Sequence, residues 1–185
     1  MQNPNTSTGI SDWGTCTRCR LHTDRGRVAL RTDSPRREHI HILFIGEAPG
    51  RTEDRLGIPF CGDSKRILFG DSGIIEQSKS FTETKYSWTV TNIVCCRPEE
   101  NRQPVKAEIE LCRPHIDELV TTTKPTGIVY LGLVAKKNYP QKLHKLPCLS
   151  LLHPAKILRE ELKLLPVLKE ARKLQLFVDS LGEKC

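Results

Sequence analysis

A carboxylate at the end of an apolar run is the first residue in this chain whose type and place could do chemistry. Ile40-His41-Ile42-Leu43-Phe44-Ile45-Gly46 runs straight into Glu47-Ala48-Pro49-Gly50. Apolar runs of this length bounded by turn residues read as buried strands. Ligands in open α/β sheets bind outside the carboxyl ends of such strands. Glu47 stands at that edge as a candidate functional acid, with a solvated loop carboxylate as the alternative. Cysteines form a second constellation. Cys16 and Cys19 make one Cys-x-x-Cys, Cys96 follows a second apolar strand, and Cys112 comes 16 residues later on the apolar side of a helix. Structural zinc sites favour two tight Cys-x-x-Cys knuckles. With the second pair spread over a loop and a helix, four thiolates around an iron–sulfur cluster become an equally chemical reading. Spacing alone leaves cluster, zinc and unliganded core thiols open. Cys61, Cys95, Cys148 and Cys185 have no obvious partners and read as small buried or incidental residues.

The elements that must position these residues follow from periodicity. Four strands are expected: the run from Ile40, then 86–94 (YSWTVTNIV), 128–131, and 148–152 ending at His153-Pro154. Val28 to Arg31 could add a short one. Between them lie a helix or two short helices over 63–79, a clear helix over 105–122, a short one to Lys137, and amphipathic helix over 155–176 divided at Pro166. Strands alternating with helices predict a three-layer α/β/α fold around a central, mainly parallel four-stranded sheet. Residues 1–12 read as a flexible amino-terminal tail and 13–180 as a single domain.

The 185 residues are enough for a real core, and 37% hydrophobic with 28% charged residues is ordinary for a globular protein. The formal charge of +7 favours a polyanionic partner, nucleic acid being the commonest. No run approaches the roughly 18 apolar residues of a membrane span. The stretch from Met1 to Trp13 is polar and lacks an apolar signal core, so a cytoplasmic protein with reduced thiols is expected.

Taken together, CTRC (16–19), GEAPGRTEDRLGIPF (46–60), TNIVCCRPEENRQP (91–104), AEIELC (107–112), PTGIVYLGLVA (125–135) and HPAKILR (153–159) resemble the iron–sulfur uracil-DNA glycosylases, family four of that superfamily. The resemblance implies a base-flipping hydrolase that removes uracil from DNA and leaves an abasic site. It implies a 4Fe–4S cluster on Cys16, Cys19, Cys96 and Cys112, clamping the amino-terminal loop to the long helix. Glu47 matches the motif-one acid and His153 the motif-two histidine beside the base's carbonyl oxygen. Phe60 matches the aromatic that stacks on the flipped base, and Asn92 the amide that reads its edge. Gly46 and Ala48 belong to the turn that receives the base, and Glu53 to the wall that crowds the thymine methyl group. Pro154, Lys156 and Arg159 would meet DNA, Pro154 and Ala155 by pressing into the minor groove. The resemblance also implies a monomer, and no protein partner such as a sliding clamp is legible.

The chemistry suits those residue types. Breaking an N-glycosidic bond develops oxocarbenium character that a carboxylate can stabilise. The leaving base carries negative charge that hydrogen-bond donors can hold. The base must leave the stack to be reached. An amide matches uracil's N3–H and O4 together and mismatches cytosine. One departure bears on selectivity: after Phe60 the family has a segment of the Val-Gly-x-Ala-Gly type, and this chain has Cys61-Gly62-Asp63-Ser64-Lys65. It motivates two further readings, a relative tuned to another modified base and a catalytically weak DNA-binding protein that keeps the cluster.

Overall fold

The structure, a computed structural model, describes residues 12–183; the expectation of a flexible tail over 1–12 falls almost wholly outside them. Its centre is a five-stranded sheet in the order β1-β3-β2-β4-β5. Here β1 is Thr32–Asp33, β2 Ile40–Gly46, β3 Tyr86–Asn92, β4 Gly127–Leu131 and β5 Cys148–Leu151. The last four pair in parallel, and only β1 runs antiparallel, against β3. Four parallel strands were expected and are present. The extra strand lies just beyond the expected Val28–Arg31, at Thr32–Asp33. It is only two residues long, too short for alternation to mark it.

Every residue of β2 is buried, as a central parallel strand covered on both faces requires. Its side chains alternate between two cores. Ile40, Ile42 and Phe44 pack with Ile67, Ile74, Leu174 and Val178 on one face, while Leu43 and Ile45 pack with Ile109, Ile116 and Tyr130 on the other. The first face is covered by α2 (Ser64–Phe69), α3 (Ile74–Lys79), α6 (Pro154–Leu158) and α7 (Leu164–Gly182); the second by α4 (Lys106–Thr123) and α5 (Leu133–Asn138). The three-layer arrangement follows from that split.

Two helix expectations need correction. Arg51–Leu56 forms a short helix, α1, where no element was expected; it opens after Gly50 and stops at Gly57, whose φ of 72° is the left-handed stop that glycine supplies. The carboxyl-terminal helices divide between Leu158 and Leu164, and Pro166 lies inside the first turn of α7. Proline is tolerated there because a first-turn N–H has no helical partner to lose. No helix among the described residues is long and apolar enough to cross a membrane.

Candidate active site and cysteine chamber

The carboxyl ends of β2, β3 and β5 bring the predicted pocket residues to one edge of the sheet. Gly46 and Asn92 are register partners on β2 and β3. A Cβ at position 46 would lie within 2.5 Å of Phe60 Cζ and closer still to Asn92 Oδ1. Only glycine lets the ring and the amide close over the strand end. Asn92 is 1% exposed, and its Oδ1 is buried without a hydrogen-bond partner. Buried acceptors are almost always paired, so an orphan at this edge marks an atom that waits for a donor. The Phe60 and His153 rings stand 6.1 Å apart at 37°. Ring, amide and imidazole form an aromatic slot with one free acceptor.

Local structure fixes each member. Phe60 has φ of 54°, a strained value for a bulky residue of the kind that persists only where surroundings impose it. The restraint is Glu53. From α1 its carboxylate accepts the Gly62 N–H at 2.9 Å, two residues after the ring. Glu53 is therefore placed as the support of the segment that carries Phe60, a tie that the expected wall role did not include. His153 caps α6: its Nδ1 accepts the Ala155 N–H at 3.1 Å, which leaves Nε2 to carry the proton of the neutral ring. Burial, with Arg159 adding to it, pulls the His153 pKa down to about 4. The residue is thus a neutral donor at ordinary pH. Glu47 is half-buried just beyond Gly46, and burial pushes its carboxyl above the usual range. Ala48 is half-buried against the second core.

The predicted DNA-contacting residues separate. Lys156 and Arg159 are exposed on or just after α6. Pro154 is buried at the first position of that helix, so the expectation that it presses into a groove is corrected. Its ring stiffens the turn, and the exposed neighbours there are Leu152 and Lys156. Arg102 holds Glu108 with both terminal nitrogens at 2.6 and 3.0 Å. Glu108 in turn accepts the Val105 N–H at 2.9 Å at the start of α4. Lys65 is exposed on α2, beside a groove lined with Arg66, Phe69 and Leu158.

On the opposite side of the Gly46–Gly50 turn, Cys16, Cys19, Cys96 and Cys112 all line one chamber with largely apolar walls. The loop that brings Cys16 and Cys19 is pinned to α4 by Trp13, whose Nε1–H donates to Glu118 Oε2 at 2.8 Å. Arg18 stacks on the Trp13 ring at 4.2 Å, and Arg25 donates to the Cys16 carbonyl at 3.0 Å. Burial raises the Cys19 thiol, and raises that of Cys96 to about 12. Cys95 lines the same chamber and was not expected there; a hydrogen bond with Cys112 and burial hold its thiol protonated, and the same hydrogen bond lowers Cys112. Among the described residues no three His, Cys, Asp or Glu side chains are gathered tightly enough to share one metal ion.

The class that the fold defines is an α/β/α sandwich whose sheet carries an aromatic slot at its carboxyl edge. The profile of the uracil DNA glycosylase superfamily matches residues 36–181, and the chain belongs to that superfamily. It is similar to the Type-4 uracil-DNA glycosylase of Pyrobaculum aerophilum, at 32% identity over 66% of this chain and 58% of that one. It is 34% identical to the Type-4 uracil-DNA glycosylase of Sulfurisphaera tokodaii over 69% of this chain and 54% of that one. For the Archaeoglobus fulgidus Type-4 enzyme the values are 32%, 65% and 56%. The chain spans a little over half the length of these curated relatives.

Proposed function

We propose that this chain is a monofunctional uracil-DNA glycosylase, acting as a monomer on DNA, with residues 13–180 as one catalytic domain. The observation that carries the reading is the orphaned Asn92 Oδ1 inside the Phe60–His153 slot. Uracil supplies the donor it lacks: Oδ1 accepts from N3–H while Nδ2 donates to O4. Cytosine offers an acceptor at N3 and a donor at the exocyclic position, which leaves both amide groups mismatched, and such mismatch discriminates strongly. The flipped base stacks on Phe60. As the bond from C1′ to N1 breaks, its electron pair leaves with the base, and the charge at O2 is held by the Nε2–H of neutral His153. Glu47 faces the cationic sugar and orients the water that adds to C1′. Lys156 and Arg159 hold the flanking phosphates. Lys65 is exposed, and no Schiff-base step is assigned to it.

Cys16, Cys19, Cys96 and Cys112 would hold a 4Fe–4S cluster, whose contribution is to fasten the amino-terminal loop to α4. The largely apolar chamber that all four thiols line supports this. The function is tested with an oligonucleotide containing one uracil. Free uracil, and strand breakage only after alkali, is the expected result. No free uracil and a strand that survives alkali, after incubation with cluster-loaded protein, would overturn it. The segment 61–65 favours adding hypoxanthine- and xanthine-containing strands to the panel, because it adjoins the Phe60 support.

A further inference from the structure

One buried charge lies outside everything described so far. Glu170 sits on the inner face of α7, 2% exposed, in line with Val167, Ala171, Leu174 and Val178. A charged group among such residues is unfavourable unless it is paired and hydrogen-bonded. Its Oε2 accepts the Leu152 N–H at 2.8 Å, and its Oε1 receives Lys173 Nζ at 2.6 Å. Leu152 immediately follows β5 and immediately precedes His153, so its N–H has left the sheet ladder and has not yet entered α6. The carboxylate grips the backbone at the hinge between the two.

We propose that Glu170 is the positioning residue for His153, setting the imidazole's height above Phe60 by tying the β5–α6 turn to α7. The inference rests on the functional reading of His153 given above. The opposite side of the slot is built in the same way: Glu53 on α1 holds the Gly62 N–H at 2.9 Å, beside the Phe60 segment. Each half of the slot is thus braced by a carboxylate from a helix that contributes no pocket side chain. The one hydrogen bond of the His153 ring lies within its own helix cap, and its contact with the sheet end is packing against Gly132, where a Cβ would come within 3.2 Å of His153 Cβ. Without Glu170 the turn would be held only by packing and by Gly132, whose N–H donates to the Leu151 carbonyl.

The test compares Glu170→Ala, Glu170→Gln and Lys173→Ala in the full, cluster-loaded chain. Glu170→Ala is expected to slow single-turnover uracil release by ten- to a hundredfold, the scale of an ångström-level misplacement, with affinity for uracil DNA within about twofold of wild type. Glu170→Gln keeps an acceptor for the Leu152 N–H and is expected to recover most of the rate, and Lys173→Ala, which leaves that acceptor but removes its cation, to cost less than Glu170→Ala. Nitrogen-15 spectra of the His153 ring supply a readout independent of turnover: in Glu170→Ala its titration is expected to move up towards 6.5 as water reaches the loosened turn. A folded Glu170→Ala protein with wild-type rate and an unmoved ring titration would overturn the proposal. So would a Glu170→Gln variant no better than Ala, or a rate lost in proportion to DNA affinity. If the wild-type chain releases no uracil, the functional reading fails while the ring spectra still decide the brace.

Discussion

The base slot and the cysteine chamber lie on either side of the same turn, yet they are held in opposite ways. Around the slot, hydrogen bonds within the protein hold the supporting segments: Glu53 accepts the Gly62 N–H, Glu170 the Leu152 N–H and His153 the Ala155 N–H. One acceptor, on Asn92, is left over. In the chamber the thiols are surrounded by apolar walls; burial raises Cys19 and Cys96, and a hydrogen bond with Cys112 together with burial raises Cys95. An outer frame ties the loop down, Trp13 donating to Glu118 and Arg25 to the Cys16 carbonyl, with the Gly26 N–H on Asp54 further along. A preformed polar site saves reorganisation at the moment of reaction. A chamber of thiols instead draws its order from what it binds, and that binding energy becomes folding energy. Losing a slot residue should therefore remove activity and spare stability; losing a chamber residue should do the reverse.

The largest effect expected is on catalysis. Glu47→Ala and Asn92→Ala should each lower base release on the order of 10²–10³-fold, with melting temperature nearly unchanged, since neither removes a hydrogen bond that the folded chain makes to itself. Full activity in both variants would sink the mechanism, and a parallel fall in melting temperature would break the contrast. Next comes the chamber. Cys96→Ser, or removal of iron by a chelator, should lower the melting temperature by roughly 10 °C or more. The rate measured well below the melt, per folded molecule, should be largely retained.

Acid should act on the folded body more than on either site. His41, His115 and His153 are each held near a pKa of about 4, burial being the chief cause. The unfolded chain binds protons at these positions below about 6.5 while the folded chain does not. Stability is full above that pH and declines as the pH falls towards 4, by on the order of 3 kcal/mol per histidine at most. Glu47 runs in the other sense, because its carboxyl is raised on folding. It favours the fold at low pH, and its acidic limb in the rate profile should sit above the ordinary carboxylate range. Denaturant midpoints and single-turnover rates across pH 4–8 separate the two. The smallest effect is expected at Lys156. Substitution by alanine should weaken DNA binding modestly and lower the salt dependence by about one unit of slope, with the rate on bound DNA unchanged.

Much of this was legible in the sequence, for physical reasons. Continuous apolar runs ended by glycine marked β2 and β4, because a parallel strand buried on both faces has no polar side; β-branched and aromatic content marked β3, and the His153-Pro154 end marked the half-buried β5. The pocket residues sit at strand ends beside those turns, so finding the strands located them. The misses share a cause. β1 is two residues long and pairs through backbone, and α1 has a single buried side chain, Glu53, so neither carries a hydrophobic period. Pro166 marked a break because proline ends helices in their interior, but in a first turn it has nothing to break. Pro154 seemed a surface wedge because the residue type does not reveal which way its turn folds. Glu170 did leave a signal: an acid at a position where the period of α7 demands an apolar residue.

The Glu170–Leu152 contact joins residues 18 apart in sequence. A ribosome finishes every side chain of the slot when it reaches His153, yet the tie that sets the imidazole is still unmade. Until α7 follows and packs against α3 and β5, a nascent chain already threaded with a complete cysteine set would hold uracil poorly. If Glu170 sets the imidazole as proposed, activity on this scaffold would switch on late in synthesis, after the parts that carry it.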